Sequence, residues 1–204
     1  MKNELKNCDC NKVAFMAVVR YIDVGEQIKG ALFLGDQYIC DTLETKWNGW
    51  AISRSYHLKK KKLRRVSLGG GYYRNGETRL YLVDYNNQSH GIIDDSALSP
   101  RPGNITVGFR NGGSKQPFTT QMMMLSDQMR NFLTRTLSDL DYVFVDVIYA
   151  TDLQIASLRQ RALWGKGFQL NKSQKEELAH LQSFYLDTDH LPTLFDLIEK
   201  SNLI

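Results

Sequence analysis

The stretch YICDTLETKWNGWAISRSYHL, Tyr38 to Leu58, decides how the rest of the chain is arranged. Its opening reads as a buried strand ending near Cys40. Its close reads as an amphipathic helix over residues 50–62, with Ile52 and Tyr56 on one side. A polar turn separates the two. Strand, turn and helix in that order point to α/β organisation, and they raise the question of what a cysteine does at the end of a core strand.

Upstream, VAFMAVVRYI is β-rich, Gly25 interrupts it, and GALFLGDQYICDTLE resumes it with a hairpin expected around Gly35 and Asp36. Downstream, RNGETRLYLVDY predicts a tight turn and a strand in which Leu80 and Leu82 alternate with Tyr81 and Val83. Residues 86–104 are polar, contain Pro100 and Pro102, and read as a long surface loop. NITVGF predicts another strand. From about Thr119 to Ser138, Met122, Leu125, Met129, Phe132 and Leu133 recur at helical spacing, a stripe read as core. DYVFVDVIYA then reads as a buried strand. Strand, long helix, strand predicts a right-handed crossover and a parallel pair. Beyond residue 151 two or three helices are expected, one opened by a capping box of Ser173 and Glu176 and the last by Thr193. The expected organisation is a flexible tail over 1–12, an α/β domain over 13–150 and a helical extension over 151–204 packed on the core.

The chain has 204 residues, 42% of them hydrophobic, enough for one core. No apolar run approaches the roughly 20 residues of a membrane helix. The N-terminus has no apolar stretch of the kind a secretory signal needs, so a cytoplasmic location is expected, with non-classical export left open. Three cysteines make no disulfide framework. Cys8 and Cys10 lack a second pair to complete a metal clip. The net charge of +4 owes much to the run KKKKLRR, Lys59 to Arg65. Such a run suits a solvated face, an anionic polymer or a protein partner. Nucleic acid is the less favoured partner, because no recognised binding module accompanies the run.

The pieces ICDTLETK (39–46), ISRSYHL (52–58), GGYYRNGE (70–77), SHG (89–91), NITVGFRNGG (104–113), FTTQMMML (118–125) and YATDL (149–153) form an ordered set. That order resembles zinc-dependent N-acetylmuramoyl-L-alanine amidases of the phage-lysozyme and peptidoglycan-recognition type, which cut the amide between muramic acid and the stem peptide. The resemblance implies a mixed central sheet flanked by helices. It also implies that Cys40 stands where the family has its first zinc ligand and Ala150 where it has the second. Asp152 lies too close to serve as the third. Zinc hydrolysis needs three protein ligands and an open position, so the resemblance implies a degenerate member without zinc. Tyr72 matches the family's tyrosine, Tyr73 replaces its histidine, and His90 matches a substrate-side loop histidine. The segment from Val18 to Glu44 also looks like the opening of an uncharacterised phage-associated family, on which reading Cys40 is a buried residue of a strand-to-turn motif.

Three functions follow as expectations. The first is a pseudoenzyme that binds a peptidoglycan fragment or a protein through Tyr72, Tyr73, His90 and Asn104, with Lys60, Lys62, Arg64 and Arg65 along one rim. The second is a phage or mobile-element accessory protein acting on a host factor, with Leu194, Phe195, Leu197 and Ile198 exposed. The third is a peptidoglycan hydrolase with a non-standard site drawn from Cys40, Tyr72 and His90, with Asp84, Asp94 and Asp95 as candidate acids, in which Cys40 is nucleophile and His90 its base. The metal set is expected to be empty.

Overall fold

The computed structural model describes residues 13–24, 27–45, 54–62, 78–94, 104–108, 120–149, 168–183, 193–194 and 196. In chain order these form β1 (Val13–Val24), β2 (Gln27–Leu34), β3 (Gln37–Thr45), β4 (Arg54–Lys62), β5 (Thr78–Val83), β6 (Ser89–Asp94), β7 (Asn104–Val107), α1 (Thr120–Thr136), β8 (Tyr142–Tyr149) and α2 (Lys172–Ser183). The eight strands close into a barrel in the order β1-β2-β3-β7-β6-β5-β4-β8. The pairs β1·β8 and β6·β7 are parallel, and the others are antiparallel.

This overturns the expected α/β architecture, a mixed sheet flanked by helices, and with it the amidase-like fold. Three local readings account for the error. Residues 54–62 are strand, because Tyr56 and Leu58 are buried in alternation with His57 and Lys59. The segment read as a loop from residue 86 contains β6. The strand after α1 does not pair with β7; it lies parallel to the N-terminal β1 and antiparallel to β4, and so seals the barrel. The hairpin at Gly35 and Asp36 is present, with Gly35 at φ 61°, a left-handed conformation open to glycine at no steric cost.

Cross-strand register places one phase of every strand in the lumen. Ala14, Met16, Val18, Leu32, Leu34, Leu80, Leu82, Ile93, Ile105, Val107, Val143, Val145 and Val147 fill it as one apolar cluster. Met129, Phe132 and Leu133 of α1 join that cluster with Leu137 just after the helix, as do Leu178 and Leu181 of α2. The turn after α1 leads directly into the start of β8, so α1 packs at the barrel end where β8 begins. The outward phase of β1–β3 is buried too: Phe15, Ala17, Val19, Ala31, Phe33 and Leu43 are at most 2% exposed. Strands buried on both faces read as near-continuous apolar runs, and VAFMAVV is one. Register shifts at Arg20/Ile22, Leu32/Phe33 and Leu82/Val83 mark bulges, which bend strands and help a sheet close.

Gly30 is required by close approach. An added Cβ would lie 2.4 Å from the Val19 carbonyl oxygen and 2.9 Å from the Thr42 hydroxyl.

Of the expected C-terminal helices, α2 is described and packs on α1 and β3. Its capping box sits earlier than expected: Asn171 Oδ1 accepts from Gln174 N, and Gln174 Oε1 accepts from Asn171 N. Thr193 and Asp196 form the same reciprocal pair. Leu194 is fully buried, so it does not belong to the exposed patch expected there; Phe195, Leu197 and Ile198 lie outside the described residues. Among the described residues, no helix is long and apolar enough to cross a membrane.

Lys60 explains part of the basic run. It lies in the lumen phase after Tyr56 and Leu58, and its ammonium donates to the carbonyls of Leu137, Ser138 and Leu140 at 2.7, 2.8 and 2.8 Å. Those carbonyls belong to the turn that follows α1, at the helix's C-terminal end, where the helix dipole favours a cation. Lys60→Met is expected to cost about 2–3 kcal/mol, read as a lower urea midpoint with an unchanged slope. A loss below about 0.5 kcal/mol, the level of an ordinary surface change, would mean that water satisfies those carbonyls equally well.

Candidate functional site at the barrel end opposite the helices

Strand polarity sorts the polar residues between the two ends. Where β8 ends, β1 and β3 also end, β5 ends, and β4, β6 and β7 begin. That end carries Arg20, Thr42, Glu44, Asp84, His90 and Tyr149.

Arg20 continues the lumen phase of Ala14, Met16 and Val18, and a bulge follows it. Its Nε donates to Glu44 Oε1 at 2.9 Å and its Nη2 to Glu44 Oε2 at 2.6 Å. The two side chains are 0% and 2% exposed. The Tyr149 ring lies beside Arg20 in register, its centroid 5.2 Å from the guanidinium carbon. Burial pushes the Glu44 carboxyl up, and the two Arg20 bonds pull it back without cancelling that rise. The Thr42 hydroxyl, also buried, has no hydrogen-bond partner among the described residues.

Nearer solvent, His90 Nε2 and Asp84 Oδ2 are 2.7 Å apart, with side chains 25% and 24% exposed. Asp84 Oδ1 accepts from the backbone N–H groups of Asn86 and Gln88, both at 2.9 Å. Asn87 takes φ 61°, a left-handed value that asparagine tolerates. The carboxylate therefore organises the β5–β6 turn and orients the imidazole at once. The His90 ring faces Tyr56 at 5.8 Å between centroids, which links the pair to the lumen.

The hydrogen bond from His90, followed by those from the turn backbone, holds Asp84 below its ordinary value of 3.8. A depressed carboxyl contributes stability above the unfolded pKa, lost as pH falls through the lower folded value. The amides of Asn86 and Gln88 are therefore expected to lose exchange protection only below about pH 3.8, and Asp84→Ala to lose it already at neutral pH. Protection that survives in Asp84→Ala would mean the turn holds without the carboxylate.

The remaining expected site residues are distributed as follows. Cys40 is a buried free thiol in the lumen cluster, pushed well up by burial, and a thiol held protonated is a poor nucleophile. It lies beyond the C-terminal end of β7, while His90 lies beyond the N-terminal end, on the order of 20 Å away along the strands. The expected Cys40–His90 pair does not form. Asn104 opens β7 opposite Ile92, at the same end as His90. Lys60 and Lys62 lie at the other end, so they form no rim around His90. Tyr72, Tyr73, Arg64 and Arg65 lie outside the described residues. Among the described residues, no group of three or more His, Cys, Asp and Glu could hold a metal ion.

Sequence reasoning missed Arg20, Glu44, Thr42 and Tyr149, and offered Asp84 only as a candidate acid of a hydrolase, not as the partner of His90. A usable signal existed for the first two: opposite charges at the apolar phase of two strands, 24 residues apart. Comparison with family models, with curated proteins and with solved structures finds no match to this chain.

Proposed function

We propose that this chain is a binding protein that receives a carboxylate-bearing peptide fragment of the cell wall at the barrel end opposite α1. The observation that carries the reading is the gathering of Arg20, Glu44, Thr42, Tyr149, His90 and Asp84 at one end of a barrel otherwise filled by apolar side chains. Barrel mouths are common ligand sites, and a few convergent polar groups over an apolar body supply orientation and specificity. His90 lies near solvent and makes first contact with the ligand carboxylate, while Asp84, an anion with both oxygens engaged, holds the imidazole in place. The Arg20–Glu44 pair acts beneath them as a positioning unit, and Thr42 holds an unused hydroxyl. The choice of wall material rests on the opening from Val18 to Glu44, which looks like that of a phage-associated family; the motif order from Ile39 to Leu153 lends it no support, because the fold that order implies is overturned. The binding reading is preferred to a hydrolase because the thiol and the imidazole stand at opposite ends of β7.

Calorimetric titration with a purified muropeptide tests this. Saturable binding is expected, weakened about tenfold or more by His90→Ala, the loss of one charge-assisted contact. Cleavage of the muropeptide by the wild-type chain, or a titration with no heat and no chemical-shift change at His90, would remove the proposal.

A further inference from the structure

The outer wall of the barrel is asymmetric. On β1–β3 it is buried. On β4, β5 and the first half of β8 it is half exposed and carries aromatic rings. Tyr142 is 36% exposed, and its ring lies 4.6 Å from Phe144 and stacks on His57 at 5.5 Å and 25°. His57 pairs with Phe144 in antiparallel register, so the same register carries Lys59 to the level of Tyr142. Lys59 in turn faces Tyr81 on β5, and Tyr81 faces Ile92 on β6. One transverse row across the wall therefore runs Tyr142, Lys59, Tyr81. Lys59 is exposed and Tyr81 is half exposed. The next row places Lys61 opposite Arg79. Neighbouring strands are about 4.8 Å apart, so the backbones of the two tyrosines stand about 10 Å apart with that of Lys59 between them.

Ring, cation, ring is the order a flexible chain of alternating flat bases and anionic links requires. Bases stack on aromatic faces whatever their identity, and the phosphates between them meet lysine and arginine. An anionic protein surface would use the charges and leave the rings idle. The register sets the course of the strand, from Tyr142 across Lys59 to Tyr81 on β5. We propose that the outer face of β8, β4 and β5 binds single-stranded nucleic acid, with bases on Tyr142 and Tyr81 and a phosphate on Lys59. This site lies on a different surface from the end that holds His90.

The test is fluorescence anisotropy of labelled oligothymidine and oligouridine on the full chain, at low and high salt. Binding of either oligomer supports the proposal, and the tighter one names the source. Affinity is expected to fall as salt rises. It should fall by about tenfold in each of Tyr142→Ala and Tyr81→Ala, to stay near wild type in Tyr142→Phe, and to drop in Lys59→Glu. Melting curves of the variants report whether the fold survives, and His90→Ala should bind as wild type does. Failure of both oligomers to bind at low salt would overturn the proposal. So would binding indifferent to the loss of both rings, or matched by polyphosphate, since either would leave charge alone at work.

Discussion

Replacing Glu44 with leucine is expected to lower the stability of the fold by about 3–5 kcal/mol. The change strips both hydrogen bonds from a guanidinium that is fully buried and remains charged at any accessible pH. The cost is that of a stranded charge rather than the net worth of the pair. The double variant Arg20→Met with Glu44→Leu should therefore regain the loss and end up neutral or about 1–4 kcal/mol more stable than wild type. Its pH dependence follows from the raised Glu44 carboxyl. A group whose folded pKa lies above its unfolded value, here the ordinary 4.5, contributes stability that is fully present below that value and is lost as pH rises through the folded one. The advantage of the double variant over wild type should accordingly widen above about pH 4.5. Chemical denaturation of the three proteins across pH measures this. A single variant as stable as wild type would mean that water reaches Arg20. The same double variant bears on function: a folded, stable barrel that no longer binds the muropeptide would show the pair is retained for the ligand rather than for the fold.

How much of this was legible in the sequence depends on whether a side chain kept to the phase of its strand. VAFMAVV, FLGDQYI, the alternation of Leu80 and Leu82 with Tyr81, and the buried YVFVDVIY all announced strands, and the spacing of Met129, Phe132 and Leu133 announced α1. Residues 54–62 hid their period of two because Lys60, a lumen-phase residue, is charged. The reason lies in tertiary structure: its ammonium binds the turn that follows a helix beginning sixty residues downstream. With that member masked, Ile52 and Tyr56 at helical spacing prevailed. β6 was lost in a polar stretch where Gly91 replaces a side chain opposite Leu82. Barrel closure was not legible at all, since it depends on β8 choosing β1, a pairing between the two ends of the folded segment. The site suffered likewise. Cys40 and His90 drew attention by chemistry, yet β7 separates them, whereas Arg20 and Glu44 meet only once β1, β2 and β3 coil around Gly30.

Phe132→Ala is expected to cost about 3–5 kcal/mol, matching the effect at Glu44 by a different physical route. Phe132 is 1% exposed and enters the apolar cluster beside Met129 and Leu133, at the barrel end closed by α1. Truncation removes its transfer free energy and leaves a void, and a wall of hydrogen-bonded strands collapses poorly around one. The cavity is lined by apolar side chains, so it should stay dry and accept a small apolar guest. Benzene is then expected to raise the melting temperature of Phe132→Ala and leave wild type unchanged. The consequence should also reach β8. The turn from Leu137 to Asp141 ties α1 to the strand that seals the barrel, and Lys60 fastens the same turn to β4. Loosening the helix should therefore lower hydrogen-exchange protection along the β1–β8 and β4–β8 ladders together. A loss confined to α1, with both ladders as protected as before, would mean that the barrel closes by strand pairing alone and that the helix merely rests on its end.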